Sequence, residues 1–295
     1  MTARILVVGR NGQLATALRN AERPWAVMEF LARPEIDLTE PAGLAARIAA
    51  ANPSLVINAA AYTAVDKAES EPETAHAINA VAPGEIARGA AAAGAPVIHV
   101  STDYVFDGTM KRPYREDDPI SPLGVYGRTK LAGEQRVAEA NPHHVIVRTA
   151  WVYSAHGANF VKTMLRLGAE RDELAIVSDQ VGCPTSAEDL ATAILAIADK
   201  ILHDPDAGDL GVTHVCGTGI ASWYDLAAAV FAALPEGDGR KPRVRPILTE
   251  DYPTPATRPA NSRLDTGRLE RQFGFVMPNW VDSVRKVVGE LAPAT

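Results

Sequence analysis

The sequence predicts an α/β fold. Residues 1–150 read as a doubly wound parallel sheet, and residues 151–295 mainly as a second, smaller α/β lobe with segments returning to the first domain. Three observations predict it. Short apolar runs rich in β-branched residues recur through the first half, each followed by a helix-like and often alanine-rich segment; such alternation makes a parallel sheet with helices on its faces the economical solution. The first run stops abruptly at a glycine turn that opens a helix. Past residue 150 the alternation loosens into shorter elements and a proline-rich stretch from Pro235 to Pro259.

Residues 3–8 (Ala-Arg-Ile-Leu-Val-Val) read as a buried parallel strand. The loop Gly9-Arg10-Asn11-Gly12-Gln13-Leu14-Ala15 follows, with Thr16-Ala17-Leu18-Arg19 as the helix beyond it. A dinucleotide pyrophosphate needs a tight turn, a close backbone approach and a helix N-terminus, which Gly9, Gly12 and Ala15 can supply; an ordinary βα turn would carry the same glycines. The second strand, 25–31, would end near an adenosine ribose. A free 2′-hydroxyl there usually meets Asp or Glu, whereas this chain has Ala32-Arg33 and, in the first loop, Arg10, with Glu35 and Asp37 arriving later. Arginines suit a 2′-phosphate, so NADPH is expected ahead of NADH, with Arg33 as a plain surface residue the competing reading.

A helix over 41–51 leads to the third strand, 55–57, and to Asn58-Ala59-Ala60-Ala61-Tyr62-Thr63. These small residues would let a cofactor lie against the backbone, or a helix pack closely. The acidic stretch 66–73 reads as a solvated loop and helix start with no chemistry assigned. A helix over 74–93 and a fourth strand over 96–100 come next, the strand ending in Ser101-Thr102-Asp103-Tyr104. Residues 107–124, with Gly108, Pro113, Pro119, Pro122 and Gly124, form an irregular loop ahead of the helix that carries Tyr126. A fifth strand, 145–148, ends in Thr149-Ala150-Trp151. Helices near 159–169, 186–203, 222–234 and 279–291, and short strands at 174–177 and 212–215, fill the second half.

The chemistry centres on Tyr126-Gly127-Arg128-Thr129-Lys130. On a helix, Tyr126 and Lys130 are one turn apart on one face. A lysine cation near a phenol, whose free pKa is about 10, favours the phenolate and would lower that pKa, making Tyr126 a usable acid near neutral pH. A solvated helix face with a snorkelling lysine has the same spacing. Thr102 is the best partner for Tyr126, because hydroxyls at the carboxyl end of a parallel strand sit where such sheets bind ligands.

Composition narrows the alternatives. With 295 residues the chain can bury a large core, and 47% hydrophobic with 22% charged residues is ordinary for a soluble globular protein. A net charge of -7 without a Lys/Arg cluster argues against nucleic acid as a partner. Cys183 and Cys216 make no disulfide framework and have no neighbours at metal-ligand spacing. No signal-like leader and no eighteen-residue apolar segment is present, so no membrane partner and a cytoplasmic location are expected.

With Gly9-x-x-Gly12-x-x-Ala15, Thr102 and Tyr126-x-x-x-Lys130 in this order, the chain resembles the extended short-chain dehydrogenases/reductases. The strings Asn58-Ala59-Ala60-Ala61-Tyr62-Thr63-Ala64-Val65-Asp66, Ser101-Thr102-Asp103-Tyr104-Val105-Phe106-Asp107-Gly108 and Arg258-Pro259-x-x-Ser262-x-Leu264-Asp265 narrow the resemblance to its nucleotide-sugar reductases, nearly end to end. The resemblance implies a Rossmann-type sheet and reduction of a nucleotide-sugar 4-ketone by NADPH or NADH. Tyr126 would give the proton, Lys130 would hold the ribose, and Thr102 would bond the developing alkoxide. It also implies that Gly9, Gly12, Gln13, Leu14, Asp37, Leu38, Ala60, Ala61 and Thr63 line the dinucleotide, and Thr102, Asp103 and Trp151 the sugar nucleotide. Some relatives hold Mg2+ among carboxylates at a dimer contact, one of them from the first helix, where this chain has Ala17. Glu188 and Glu290 could match the others, so the metal and a homodimer are left open. The rivals are an epimerase or dehydratase on the same scaffold and a non-catalytic dinucleotide-binding subunit. Thr102 is followed by Asp103-Tyr104 rather than Asp-Glu, which counts against dehydration, and a regulatory subunit has no need of Thr102, Tyr126 and Lys130 together.

Overall fold

Six parallel strands build the main sheet, in the spatial order β2-β1-β3-β4-β5-β10. The computed structural model describes residues 2–204, 210–235 and 241–292. In chain order its elements are β1 (Ala3–Val8), α1 (Gln13–Asn20), β2 (Ala26–Leu31), α2 (Leu44–Ala50), β3 (Leu55–Asn58), α3 (Val65–Ala68), α4 (Pro72–His76), α5 (Ala82–Ala92), β4 (Val97–Thr102), α6 (Val125–Ala140) and β5 (His144–Thr149). The second half adds β6 (Val152–Tyr153), α7 (Phe160–Glu170), β7 (Glu173–Val177), β8 (Val181–Gly182), β9 (Thr185–Ser186), α8 (Ala187–His203), β10 (Gly211–His214), β11 (Ala221–Ser222), α9 (Trp223–Ala232), β12 (Arg243–Ile247), β13 (Asn261–Ser262), α10 (Gly267–Phe273) and α11 (Trp280–Leu291).

The central strands are apolar without alternation because helices cover both faces of the sheet. Every residue of β3 is buried, and Ile5, Leu6, Val7 and Val8 of β1 are buried beside it in the register Ile5↔Leu55 to Val8↔Asn58. On one face α1 and α8 contribute Leu14, Leu18, Leu190 and Ile194 to a core with Ile5, Val7 and Ile57. On the other, Leu44, Ile48, Ile86 and Ala90 of α2 and α5 close over Leu6, Val56 and Val97. Strand order reverses between β1 and β3, and open sheets of this kind bind ligands in the crevice beyond the carboxyl ends of the strands at such a point.

Several elements differ from the sequence expectation. The strand at 212–215, read with the smaller lobe, is β10 and pairs parallel with β5 from Gly211↔Val145 to His214↔Arg148. The helix expected over 74–93 runs as α4 and α5 joined by a π turn at Ala77–Val81. Within the proline-rich stretch, β12 pairs parallel with β7, and Pro246 sits in it because a two-stranded ribbon leaves one side of each strand free of ladder bonds. Residues 236–240 of that stretch lie outside the described residues. Helix α10, preceded by Asp265-Thr266, has no counterpart in the sequence reading. A separate core of Tyr153, Val161, Met164, Leu226, Val230, Phe231 and Val284 lies among α7, α9 and α11.

Candidate active site

Helix α6 is held against the end of β4 and against the π turn by two close approaches. A Cβ at Gly127 would lie 2.2 Å from the Tyr104 carbonyl oxygen, and one at Gly133 would lie 2.1 Å from that of Asn79. Only glycine lets the helix sit there, which puts Tyr126 beside Thr102. Asn79, within the π turn, is fully buried; its Oδ1 accepts from Tyr62 N at 2.8 Å and its Nδ2 donates to Tyr62 O at 3.1 Å and Thr129 Oγ1 at 3.3 Å. The acidic stretch, given no chemistry from the sequence, has structural work. Glu69 Oε1 accepts from Val125 N at the start of α6 (2.7 Å), Glu71 accepts from the Tyr62 hydroxyl (2.8 Å), and Asp66 pairs with Arg258 (2.7 Å). Below the helix, Glu134 and Arg148 form a buried ion pair at 2.7 Å, and Ser101 Oγ donates to Glu134 Oε1 at 2.5 Å.

These elements wall a cavity of about 680 Å³. Gly9, Asn11, Gly12, Gln13, Leu14, Ala60, Ala61 and Thr63 line it on one side, and Thr102, Asp103, Tyr126, Lys130 and Trp151 on the other. Of the residues singled out from the sequence, Arg10, Arg33, Asp37 and Leu38 do not line it. Arg10 donates to Glu35 (2.8 Å) and to Phe30 O (2.9 Å), and Arg33 forms a two-point pair with Asp37 (2.9 Å to each oxygen). The two late carboxylates thus engage the arginines expected to face a 2′-phosphate. Such exposed pairs contribute little in water, so a phosphate can displace them.

The residues present fit a dinucleotide. Gly9, at φ 116°, packs so that a Cβ would sit 3.4 Å from Ala60 N, joining the loops after β1 and β3 at the crevice. Gly12 caps α1 with no side-chain bond and no acid in the first turn, and nothing lies within 4 Å of a Cβ placed on it. Uncapped amides and open space at a helix N-terminus suit a pyrophosphate. Gln13, in the same lining, is fixed by its Oε1, which accepts from Ser154 Oγ (3.1 Å) and Asn159 Nδ2 (3.0 Å), tying the loop to the start of α7.

Electrostatics corrects one expectation. Burial dominates at Tyr126 and pushes its phenol up to about 12, against the Thr102 hydroxyl; the lowering by Lys130 is not found. The Lys130 ammonium instead donates to Val100 O (2.7 Å) and lies 3.4 Å from His99 Nε2, while burial brings the amine down to about 8. His99, fully buried, is held neutral by burial and by Lys130, with Asn58 Nδ2 3.0 Å from its Nδ1. Asp103 is pushed up to about 6 by burial, and its Oδ1 accepts from Thr102 Oγ1 at 3.0 Å. Asn79 and His99 carry no motif of their own, which is why the sequence assigned them no role, and Asn58 opens one of the strings behind the resemblance without a role attached to it.

Where some relatives place an acid on the first helix, this chain has the buried Ala17; Glu188 and Glu290 do lie near each other, burial and the Glu290 charge both raising the Glu188 carboxyl, and among the described residues of this one chain no group of three or more His, Cys, Asp or Glu is placed to hold a metal. Among those residues no helix is long and apolar enough to cross a membrane.

A parallel sheet of this order, with a glycine loop after β1 and the tyrosine helix following β4, is the scaffold of the short-chain dehydrogenases/reductases. A family profile described as the RmlD substrate binding domain matches residues 3–292. The dTDP-4-dehydrorhamnose reductase of Sinorhizobium fredii is 50% identical over 98% of this chain and 97% of its own, and that of Escherichia coli K12 is 43% identical over 99% of each. Among solved structures, the Clostridium acetobutylicum dTDP-4-dehydrorhamnose reductase superposes with a TM-score of 0.90 at 39% identity, covering 98% of this chain and 99% of that one. The Bacillus anthracis enzyme in complex with NADP gives 0.89 at 35% identity, over 98% and 100%. The chain belongs to the dTDP-4-dehydrorhamnose reductase family.

Proposed function

We propose that this chain reduces the 4-keto group of dTDP-4-dehydro-L-rhamnose to give dTDP-L-rhamnose, with NADPH as the preferred donor and NADH as a poorer one. The observation that carries this reading is the single cavity shared by the glycine loop at the start of α1 and by Thr102, Tyr126 and Lys130. The nicotinamide supplies the hydride when bound. Tyr126 delivers the proton to the carbonyl oxygen. Its high pKa keeps the phenol protonated across the physiological range, as an acid requires. Thr102 donates to the same oxygen as charge develops on it, and Lys130 holds the ribose hydroxyls. Gly9, Asn11, Gly12, Gln13, Leu14, Ala60, Ala61 and Thr63 line the dinucleotide; Asp103 and Trp151 hold the sugar nucleotide.

The NADP in the Bacillus anthracis relative supports the cofactor choice. The acidic net charge and the absence of a basic cluster support a small-molecule substrate over a nucleic-acid partner. The test is to incubate purified protein with NADPH and dTDP-4-dehydro-L-rhamnose, follow cofactor oxidation and identify the sugar by NMR. One NADPH consumed per ketone is the expected outcome. Epimerised or dehydrated sugar without net oxidation of cofactor would overturn the assignment.

A further inference from the structure

We propose that Trp223 is a positioning residue for the sugar nucleotide, holding Trp151 as a fixed aromatic wall of the cavity. The inference rests on the reading that Trp151 faces the substrate. Trp151 has a backbone φ of 49°, in the left-handed region that a bulky side chain seldom enters. Such a conformation persists only when the surroundings over-determine it.

Two contacts supply that constraint. The Trp223 indole stacks on Trp151 with centroids 3.5 Å apart and planes 7° from parallel. Gly182 of β8 approaches the same ring so closely that a Cβ there would lie 2.6 Å from Trp151 Cε2. Trp223 is itself anchored. It is the first residue of α9, behind the capping box of Ser222 and Asp225. Its Nε1 donates to Gln180 Oε1 at 3.1 Å, Gln180 Nε2 donates to Thr249 Oγ1 at 3.1 Å, and Phe160 packs on the ring at 4.8 Å. The stack therefore couples the end of β5 to elements of the second half, and both indoles line the cavity. A flat ring fixed in advance can meet a planar base or the apolar face of a hexose without being ordered on binding.

The test is steady-state kinetics on Trp223→Leu, which keeps apolar bulk but removes the flat ring. The KM for the sugar nucleotide should rise about 2- to 12-fold, the range expected for loss of an aromatic stack. The turnover number and the KM for NADPH should stay within about twofold of the parent. Trp223→Phe should recover most of the loss. Gly182→Ala, whose added methyl meets Trp151 first, should raise the same KM. Because the effect passes through Trp151, Trp151→Leu combined with Trp223→Leu should be no worse than Trp151→Leu alone. An unchanged KM in Trp223→Leu, with a raised one in Trp151→Leu, would overturn the proposal. So would a fall in turnover and in affinity for both substrates that Phe does not restore. An unchanged sugar-nucleotide KM in Trp151→Leu would instead remove the substrate role of Trp151 on which the proposal rests, leaving reductase activity itself intact.

Discussion

A phenol at about 12 beside a lysine at about 8 inverts the usual order of these two groups, and the cause at both is removal from water. Tyr126→Phe should bind NADPH normally, measured by fluorescence titration, but turn over roughly 10²-fold more slowly or worse, the scale of general-acid catalysis. The pH profile isolates Lys130. Its ammonium is charged below pH 8 and lost above it, so kcat/KM for NADPH, which reports the free enzyme, should fall as pH rises through about 8. Lys130→Arg should remove that fall, since a guanidinium stays charged. The same shift has a stability sign. The folded value lies below the unfolded one, so the charged amine destabilises the fold below pH 8, and this penalty is relieved as pH rises towards 10.5. At the ribose end, Arg10→Ala with Arg33→Ala should raise the KM for NADPH and leave that for NADH nearly unchanged. Equal losses with both donors would show that the pairs with Glu35 and Asp37 serve the fold instead.

At the scale of elements, α6 was legible and its seat was not. A one-turn Tyr-Lys spacing can be read from a string, because a helix converts it into adjacency. The approach of Gly127 to Tyr104, the capping of Val125 by Glu69 and the bonds of Asn79 to Tyr62 and Thr129 depend on segments brought together only by the fold. The pair between Glu134 and Arg148 belongs with them, joining α6 to β5 with both side chains at most 4% exposed. Glu134→Ala would strand the guanidinium and cost about 3–5 kcal/mol, the usual penalty for breaking one partner of a buried pair. Urea unfolding should show this as a lower midpoint, and an unchanged midpoint would mean that water reaches Arg148. The acidic stretch shows the limit most clearly: its composition is that of a solvated surface, and three of its carboxylates are engaged by Val125, Tyr62 and Arg258.

At the scale of the molecule, strand–helix alternation exposed the first five strands: β1, β3, β4 and β5 are largely buried runs, whereas β2, at the sheet edge, leaves Val27 and Glu29 exposed. It could not place β10, a four-residue strand whose membership in the main sheet is decided by its partner β5. Proline hid β12 for a different reason, since propensity counts against a residue that an edge tolerates. The late arrival of β10 bears on how the protein is made. A ribosome releases the chain from its N-terminus, so β5 emerges with Val145, Ile146 and Val147 along an edge whose permanent neighbour has yet to be synthesised. Until Gly211–His214 follows, that apolar edge is a template for pairing with another nascent chain. Translation speed between the two strands, and chaperone cover over that interval, therefore bear on yield independently of how stable the finished enzyme is.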